Sequence, residues 1–182
     1  MRKLIAGLFI SLDGVVEAPD QWQLDFFDED MGKAMQSMLD KSSTALMGRV
    51  TYQAWADYWP NASDEPFASW INNIPKYVAS TTLKDVSWRN TSLLKGPLAD
   101  DITRLKQQPG QNITVTGSPT LVRSLLKGGL LDELTLSVHP VVVGRGERLF
   151  HDGDDLKRLK LLDSSITGSG VAILTYQTSN AQ

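Results

Sequence analysis

Two short stretches combine glycine, a hydroxyl side chain and free backbone donors where a strand pattern gives way to a helix pattern. Gly48-Arg49-Val50-Thr51 follows an apolar run at 43–48, and Gly117-Ser118-Pro119-Thr120 follows another at 112–116. A helix start presents N–H groups that lack intrahelical acceptors, at the positive end of the helix dipole, and so suits a phosphate. Arg49 would add a two-pronged cation. In open α/β sheets ligands settle outside the carboxyl ends of strands, so two such corners together suit the pyrophosphate of a dinucleotide. Neither stretch is a GxGxxG fingerprint or a P-loop. Taken singly, each glycine reads equally well as tight packing, and Arg49 as half of a surface ion pair. A third stretch, Ser80-Thr81-Thr82-Leu83-Lys84, also follows a strand pattern. Its hydroxyls and Lys84 suit a ribose phosphate, or simply a turn.

The composition removes many other chemistries. The chain has 182 residues and no cysteine, which excludes disulfides, thiol nucleophiles and thiolate metal sites. Its two histidines, His139 and His151, speak against a histidine-rich metal centre, and no metal is expected. The net charge of -3 speaks against a nucleic-acid binder. Residues 12–66 carry 11 acids and 3 bases, so that stretch repels polyanions. Met1-Arg2-Lys3 before Leu4–Ile10 imitates a signal peptide. The run is far too short to span a bilayer, and Asp13 follows it closely. It reads as a strand buried on both faces, in a cytoplasmic protein with no membrane association, with secretion the lesser alternative.

The elements that must position these residues alternate along the chain. Strands are expected at 3–11, 43–48, 75–81 and 112–116. Helices are expected at 28–40, around 50–58 and from Leu98 to Leu105. Asp28, Glu29 and Asp30 sit where a helix dipole favours acids. Ser118 is a good N-cap, Pro119 suits a first turn, and Gly128-Gly129 ends that helix. Leu134, Leu136 and Val138 alternate with Thr135, Ser137 and His139 as a strand. Residues 157–165 and 171–178 read as a hairpin around Thr167-Gly168-Ser169-Gly170. No linker divides residues 1–182, so one α/β domain is expected: a mixed sheet, mostly parallel, with an antiparallel C-terminal edge.

In order along the chain, six stretches together resemble the dihydrofolate reductase superfamily. They are Ser11–Gly14, Leu46–Tyr52, Lys76–Ser80, Val115–Leu121, Gly129–Leu134 and His139–Phe150. The chain is most similar to stand-alone proteins like the C-terminal reductase domain of the bifunctional riboflavin-biosynthesis deaminase-reductase. The sequence carries no deaminase zinc motif, so a reductase without the deaminase half is expected. The resemblance implies a three-layer fold with helices on both faces of the sheet, and an NADPH-dependent oxidoreductase. Gly48, Arg49 and Thr51 would meet the cofactor phosphates from one side. Gly117, Ser118, Thr120 and Leu121 would meet them from the other. Ser80 and Thr81 would lie near the adenosine ribose and its phosphate, and Ala6 and Gly7 near the nicotinamide amide. These reductases often carry two glycines where this chain has Gly117-Ser118.

The same resemblance implies hydride transfer to a C=N or C=O carbon of a small heterocycle, pterin-like or pyrimidine-like. Dihydrofolate reductases hold the pterin with a carboxylate at the start of their first helix. Asp30 falls nearest that place, and Asp13, after the first strand, is the second candidate for acid chemistry. Each also has a structural reason, as a helix-start acid and as a turn residue. Trp22, Trp55 and Trp59 suit either a stacking wall for a flat substrate or ordinary packing. Two other functions fit the same pattern: dihydrofolate reductase itself, and a non-catalytic nucleotide-binding protein that kept the fold. Apolar alternation in the late strands, with the frequency of dimers among related reductases, points to a homodimer. The expected partner is otherwise a small-molecule substrate.

Overall fold

In a computed structural model, which describes residues 1–178, eight strands form one sheet. They are Leu4–Ser11 (β1), Ser42–Gly48 (β2), Lys76–Ala79 (β3), Thr91–Leu93 (β4), Asn112–Thr116 (β5), Glu133–His139 (β6), Lys160–Ile166 (β7) and Ala172–Gln177 (β8). Their order is β4-β3-β2-β5-β1-β6-β8-β7. The first six in that order are parallel, and β8 pairs antiparallel with both β6 and β7. The helices are Glu29–Asp40 (α1), Arg49–Tyr58 (α2), Phe67–Asn73 (α3), Leu98–Gln107 (α4) and Pro119–Lys127 (α5).

Alternation along the strands divides the apolar residues between two layers. Leu4, Ala6, Leu8, Leu46, Ile113, Val115 and Leu134 meet Ile102 and Leu105 of α4 and Val122 and Leu125 of α5. On the opposite face Ala45, Met47 and Val78 pack with Tyr52 of α2, Ile71 of α3 and Trp88. That face also receives α1, whose Met38 reaches Thr114. Burial of β1 on both faces, expected from its sequence, is found on one face only. Its even residues are buried, whereas Ile5, Gly7 and Phe9 on the α1 face are half-buried. The helices thus leave part of the sheet's second face uncovered above β1.

The path of the chain creates a switch at β5. The helices after β1 and β2 lie on one face, and the helix after β5, which sits between those strands, lies on the other. Diverging helices leave a crevice at the carboxyl ends of such strands. Three expectations change. The strand expected at 75–81 ends at Ala79, because Ser80 folds into a turn. α3 and β4 have no counterpart in the sequence reading, being seven and three residues long, too short for a period to show. Ser118 occupies the N-cap position of α5, but its side chain does not cap that helix.

Candidate active site

The two glycine corners touch. The Gly48 N–H donates to Ser118 Oγ at 2.8 Å, and that hydroxyl donates to Thr51 Oγ1 at 2.7 Å. A Cβ built on Gly48 would lie 3.4 Å from Ser118 Oγ, and one on Gly117 would lie 3.4 Å from Thr51. Both residues of the second corner are left-handed, Gly117 at φ 61° and Ser118 at φ 57°. For serine this conformation costs about 1–2 kcal/mol. The two side-chain hydrogen bonds, at about 0.5–1.5 kcal/mol each, are of the size needed to offset it. A serine therefore does the work of the second glycine by tying itself to the other corner. Its use in that tie is the physical reason it does not cap α5.

Around this tie the first turns of α2 and α5 leave the sheet side by side, with their N–H groups at one rim. Arg49 is exposed and donates to Gln53 Oε1 at 3.0 Å. Among the described residues it joins no ion pair. Leu121 is buried behind the turn and Thr120 is exposed on it. Ser80 and Thr81 leave β3, the neighbour of β2, at the same rim. The Ser80 Oγ accepts from the Thr82 and Leu83 N–H groups at 3.2 and 3.1 Å, so it closes a turn, while Thr81 is exposed.

Beside the rim, the β1 surface supplies a floor. Gly7 lies between Thr116 and Thr135 in register, and a Cβ there would meet no atom within 4 Å. The Thr116 Oγ1 is buried without a protein partner. An unfilled hollow next to an unpaired hydroxyl fits a flat ring bearing an amide. The side chain of Ala6, by contrast, is buried toward α4 and α5. The residues present therefore suit a nicotinamide dinucleotide: phosphates at the joined corners and the ring over Gly7.

One residue above Gly7 on the same face, Phe9 leads into a group that sequence reasoning missed. His139 is fully buried, with ring centroids of Phe9, Trp22 and Phe26 at 5.4, 5.4 and 5.7 Å, each nearly perpendicular to it. Its Nδ1 lies 2.8 Å from the Ser137 carbonyl and therefore carries the proton. Nε2 has no partner. Burial pushes the imidazole below its ordinary value, which keeps it neutral. The strand alternation signalled only a polar position. Its burial arises from the loop carrying Trp22 and Phe26, which the sequence does not place.

The structure separates the three tryptophans. Trp22 stands over His139 and donates to the Glu17 carbonyl at 3.1 Å. Trp55 and Trp59 pack with each other and with Phe67, between α2 and α3. The Trp59 indole N–H is buried without a partner. Trp22 thus has different ring neighbours from Trp55 and Trp59.

Both candidate acids hold loops. Asp13 accepts from the Ser11 hydroxyl at 2.6 Å and from the Val143 and Gly144 N–H groups at 3.0 and 2.8 Å. These donors hold its carboxyl at about 2, so it is ionised at neutral pH and unsuited to giving up a proton. Asp30 accepts from the Gly168 N–H at 3.1 Å. Asp28 caps α1 by accepting from the Met31 N–H at 3.0 Å, and its other oxygen accepts from Ser169 at 2.7 Å. The start of α1 thus grips the turn between β7 and β8. A further carboxylate, unforeseen, stands near the start of α5: Glu147 lies 3.4 Å from the Thr120 hydroxyl and pairs with Arg123 at 2.8 Å. That pairing offsets a charge which would otherwise oppose an anion.

Comparison with known proteins agrees with this architecture. The sequence is 30% identical over 182 residues to the uncharacterized protein YyaP of Bacillus subtilis (strain 168), covering 96% of this chain and 94% of that one. A putative riboflavin biosynthesis protein from Shewanella sp. PV-4 superposes with a TM-score of 0.80 at 19% identity, covering 98% and 99% of the two chains. The NADP(H) complex of Enterococcus faecalis dihydrofolate reductase superposes at 0.65 with 13% identity, covering 96% and 95%. The fold is therefore that of the dihydrofolate reductases. Residues 2–173 match the profile of the RibD C-terminal domain, and the chain belongs to that family.

Proposed function

We propose that the protein is an NADPH-dependent reductase of a small heterocycle with a reducible C=N or C=O bond. The observation that carries this reading is the joined corner, Gly48–Ser118–Thr51, which sets two helix starts side by side at the switch in the sheet. Family membership and the dihydrofolate reductase fold support it. Reduced nicotinamide, when bound, supplies the hydride. The chain's own residues place and shelter the reactants. The first-turn N–H groups of α2 and α5 bind phosphate, and Arg49 adds charge for the extra phosphate of NADPH. Gly7 leaves room for the ring, and the Thr116 hydroxyl is available to its amide. Phe9 and Trp22 bound the hollow on the His139 side and exclude water.

Hydride addition leaves a nitrogen or oxygen of the substrate that must gain a proton. Asp13 is committed to two backbone N–H groups, and Asp30, exposed at the start of α1, holds the Gly168 N–H with one oxygen, so we assign that proton to water. The exposure of Asp30 and its bond to the Gly168 turn also make dihydrofolate reductase proper the less favoured reading. Five tryptophans allow a direct test. Titration with NADPH should give saturable quenching and energy transfer, and a panel of oxidised pterins and pyrimidines should include one that consumes NADPH. Absence of a cofactor signal sinks the reading. Tight binding with no turnover across the panel favours a nucleotide-binding protein instead.

A further inference from the structure

At the end of the sheet opposite the glycine rim, a buried cation is held in place without an anion. A hollow of about 660 Å³ lies where β1, β2, β5 and β6 begin. Four cations line it, Arg2, Lys3, Lys41 and Lys106, against one acid, Glu133. Two of the four are already paired, Lys3 with Glu133 and Lys106 with Asp132, each at 2.6 Å. Arg2 and Lys41 join no ion pair among the described residues. Lys41 is exposed just past the end of α1. Arg2 is only 9% exposed, and burial pushes its guanidinium below its ordinary value. A charge so enclosed is normally paired.

Two local irregularities converge on that guanidinium. The β2–β5 register shifts between Ser42 and Thr44, a bulge that lets two successive hydroxyls reach one nitrogen. Ser43 Oγ and Thr44 Oγ1 both accept from Arg2 Nη2, at 3.2 and 2.6 Å. The Gln111 carbonyl accepts from Arg2 Nε, and the Gln111 N–H donates to Ser43 Oγ at 3.0 Å. Gly110, at φ 134°, lays its backbone against the same group: a Cβ there would lie 3.2 Å from Arg2 Cζ and 3.0 Å from Ser43 Oγ. Every acceptor is neutral, so these bonds fix the guanidinium without balancing its charge. Its Nη1 has no partner among the described residues and is not buried, which leaves it to the hollow.

We propose that this hollow binds a phosphate group, inorganic or carried by a small metabolite. Arg2 and Lys41 supply two unpaired positive charges, which a phosphate dianion balances and a single carboxylate does not. The hollow is separate from the rim: Gly7 stands five residues from Arg2 along β1, roughly 17 Å at about 3.3 Å per residue.

Amide spectra of the isotope-labelled chain locate such binding, since phosphate at the rim would move Gly48, Thr51 and Gly117 instead. With ionic strength held constant by chloride, inorganic phosphate should shift the Gly110, Gln111 and Asn112 amides saturably. Arg2→Gln should weaken this binding roughly tenfold, and Lys41→Gln about threefold. Lys41 is exposed, so its substitution keeps the test decisive if Arg2→Gln fails to fold, and quenching by NADPH should be unchanged in it. Tighter binding of glycerol phosphate than of inorganic phosphate supports a metabolite's phosphate as the occupant, and the reverse order supports the free ion. Shifts that do not saturate, or that are confined to the rim amides, overturn the proposal. An affinity that Lys41→Gln leaves unchanged overturns it too.

Discussion

The glycine rim and the acid-rich loops treat their polar groups in opposite ways. At the rim, one hydroxyl takes up a single backbone donor, the Gly48 N–H, and passes its own proton to Thr51, while the first turns of α2 and α5 keep their N–H groups facing outward. In the loops, carboxylates bond to backbone donors and leave little over. Asp13 holds Val143 and Gly144, Glu17 holds Glu147, Asp28 holds Met31 and Ser169, and Asp30 holds Gly168. One region is therefore open to an anion and the other is closed by its own anions. An acid near a cleft is a candidate for proton transfer only while its oxygens are unclaimed.

Five substitutions break or sharpen this contrast, the first having the largest expected effect, and a sixth, at His139, tests it through pH. Gly117→Val places a β-branched side chain at φ 61° and 3.4 Å from Thr51, so it pushes the corners apart. NADPH affinity should fall roughly 10–100-fold in a fluorescence titration, about 1.4–2.8 kcal/mol. Ser118→Ala removes both hydrogen bonds of the tie, and thermal unfolding should show a loss of about 1–3 kcal/mol. Arg49→Ala should weaken NADPH by roughly fivefold, as expected for about 1 kcal/mol, and NADH less. Equal losses for the two cofactors would remove Arg49 from the extra phosphate.

On the closed side, Asp13→Asn should lower the melting temperature while kcat stays within about twofold of wild type. A kcat loss of orders of magnitude would return Asp13 to the chemistry. Asp30→Asn should do least of all, since that residue is exposed and makes one backbone contact. His139 provides a pH test of the same contrast. Its imidazole is depressed in the folded chain, whereas unfolded histidine titrates near about 6.5. The unfolded chain then binds more protons, so stability is full above that value and falls as pH drops below it. His139→Gln should flatten this slope in melting curves.

Legibility in the sequence followed local punctuation. Gly48 and Gly117 stood out because each sits where an apolar run meets a helix start, and neighbouring strands then brought the two together. Asp28 was legible as a helix-start acid and is the N-cap of α1. The grip of Asp28 and Asp30 on the distant Gly168-Ser169 turn was not legible, because no local pattern encodes a contact across the whole chain. His139 was hidden for a related reason: its neighbours Trp22 and Phe26 arrive from a loop without periodicity. The hairpin was visible near its true place, but alternation alone cannot tell an apolar face that is covered from one that is bare.

The position of β1 bears on how the chain comes to life. It is synthesised before the other seven strands, yet Leu4 lies opposite Ile113, and Ile5 opposite Glu133. During translation this greasy segment must therefore wait, both edges unpaired, until most of the polypeptide has emerged. Its closure joins ends far apart in sequence, a slow event that exposes the nascent molecule to aggregation and to chaperones.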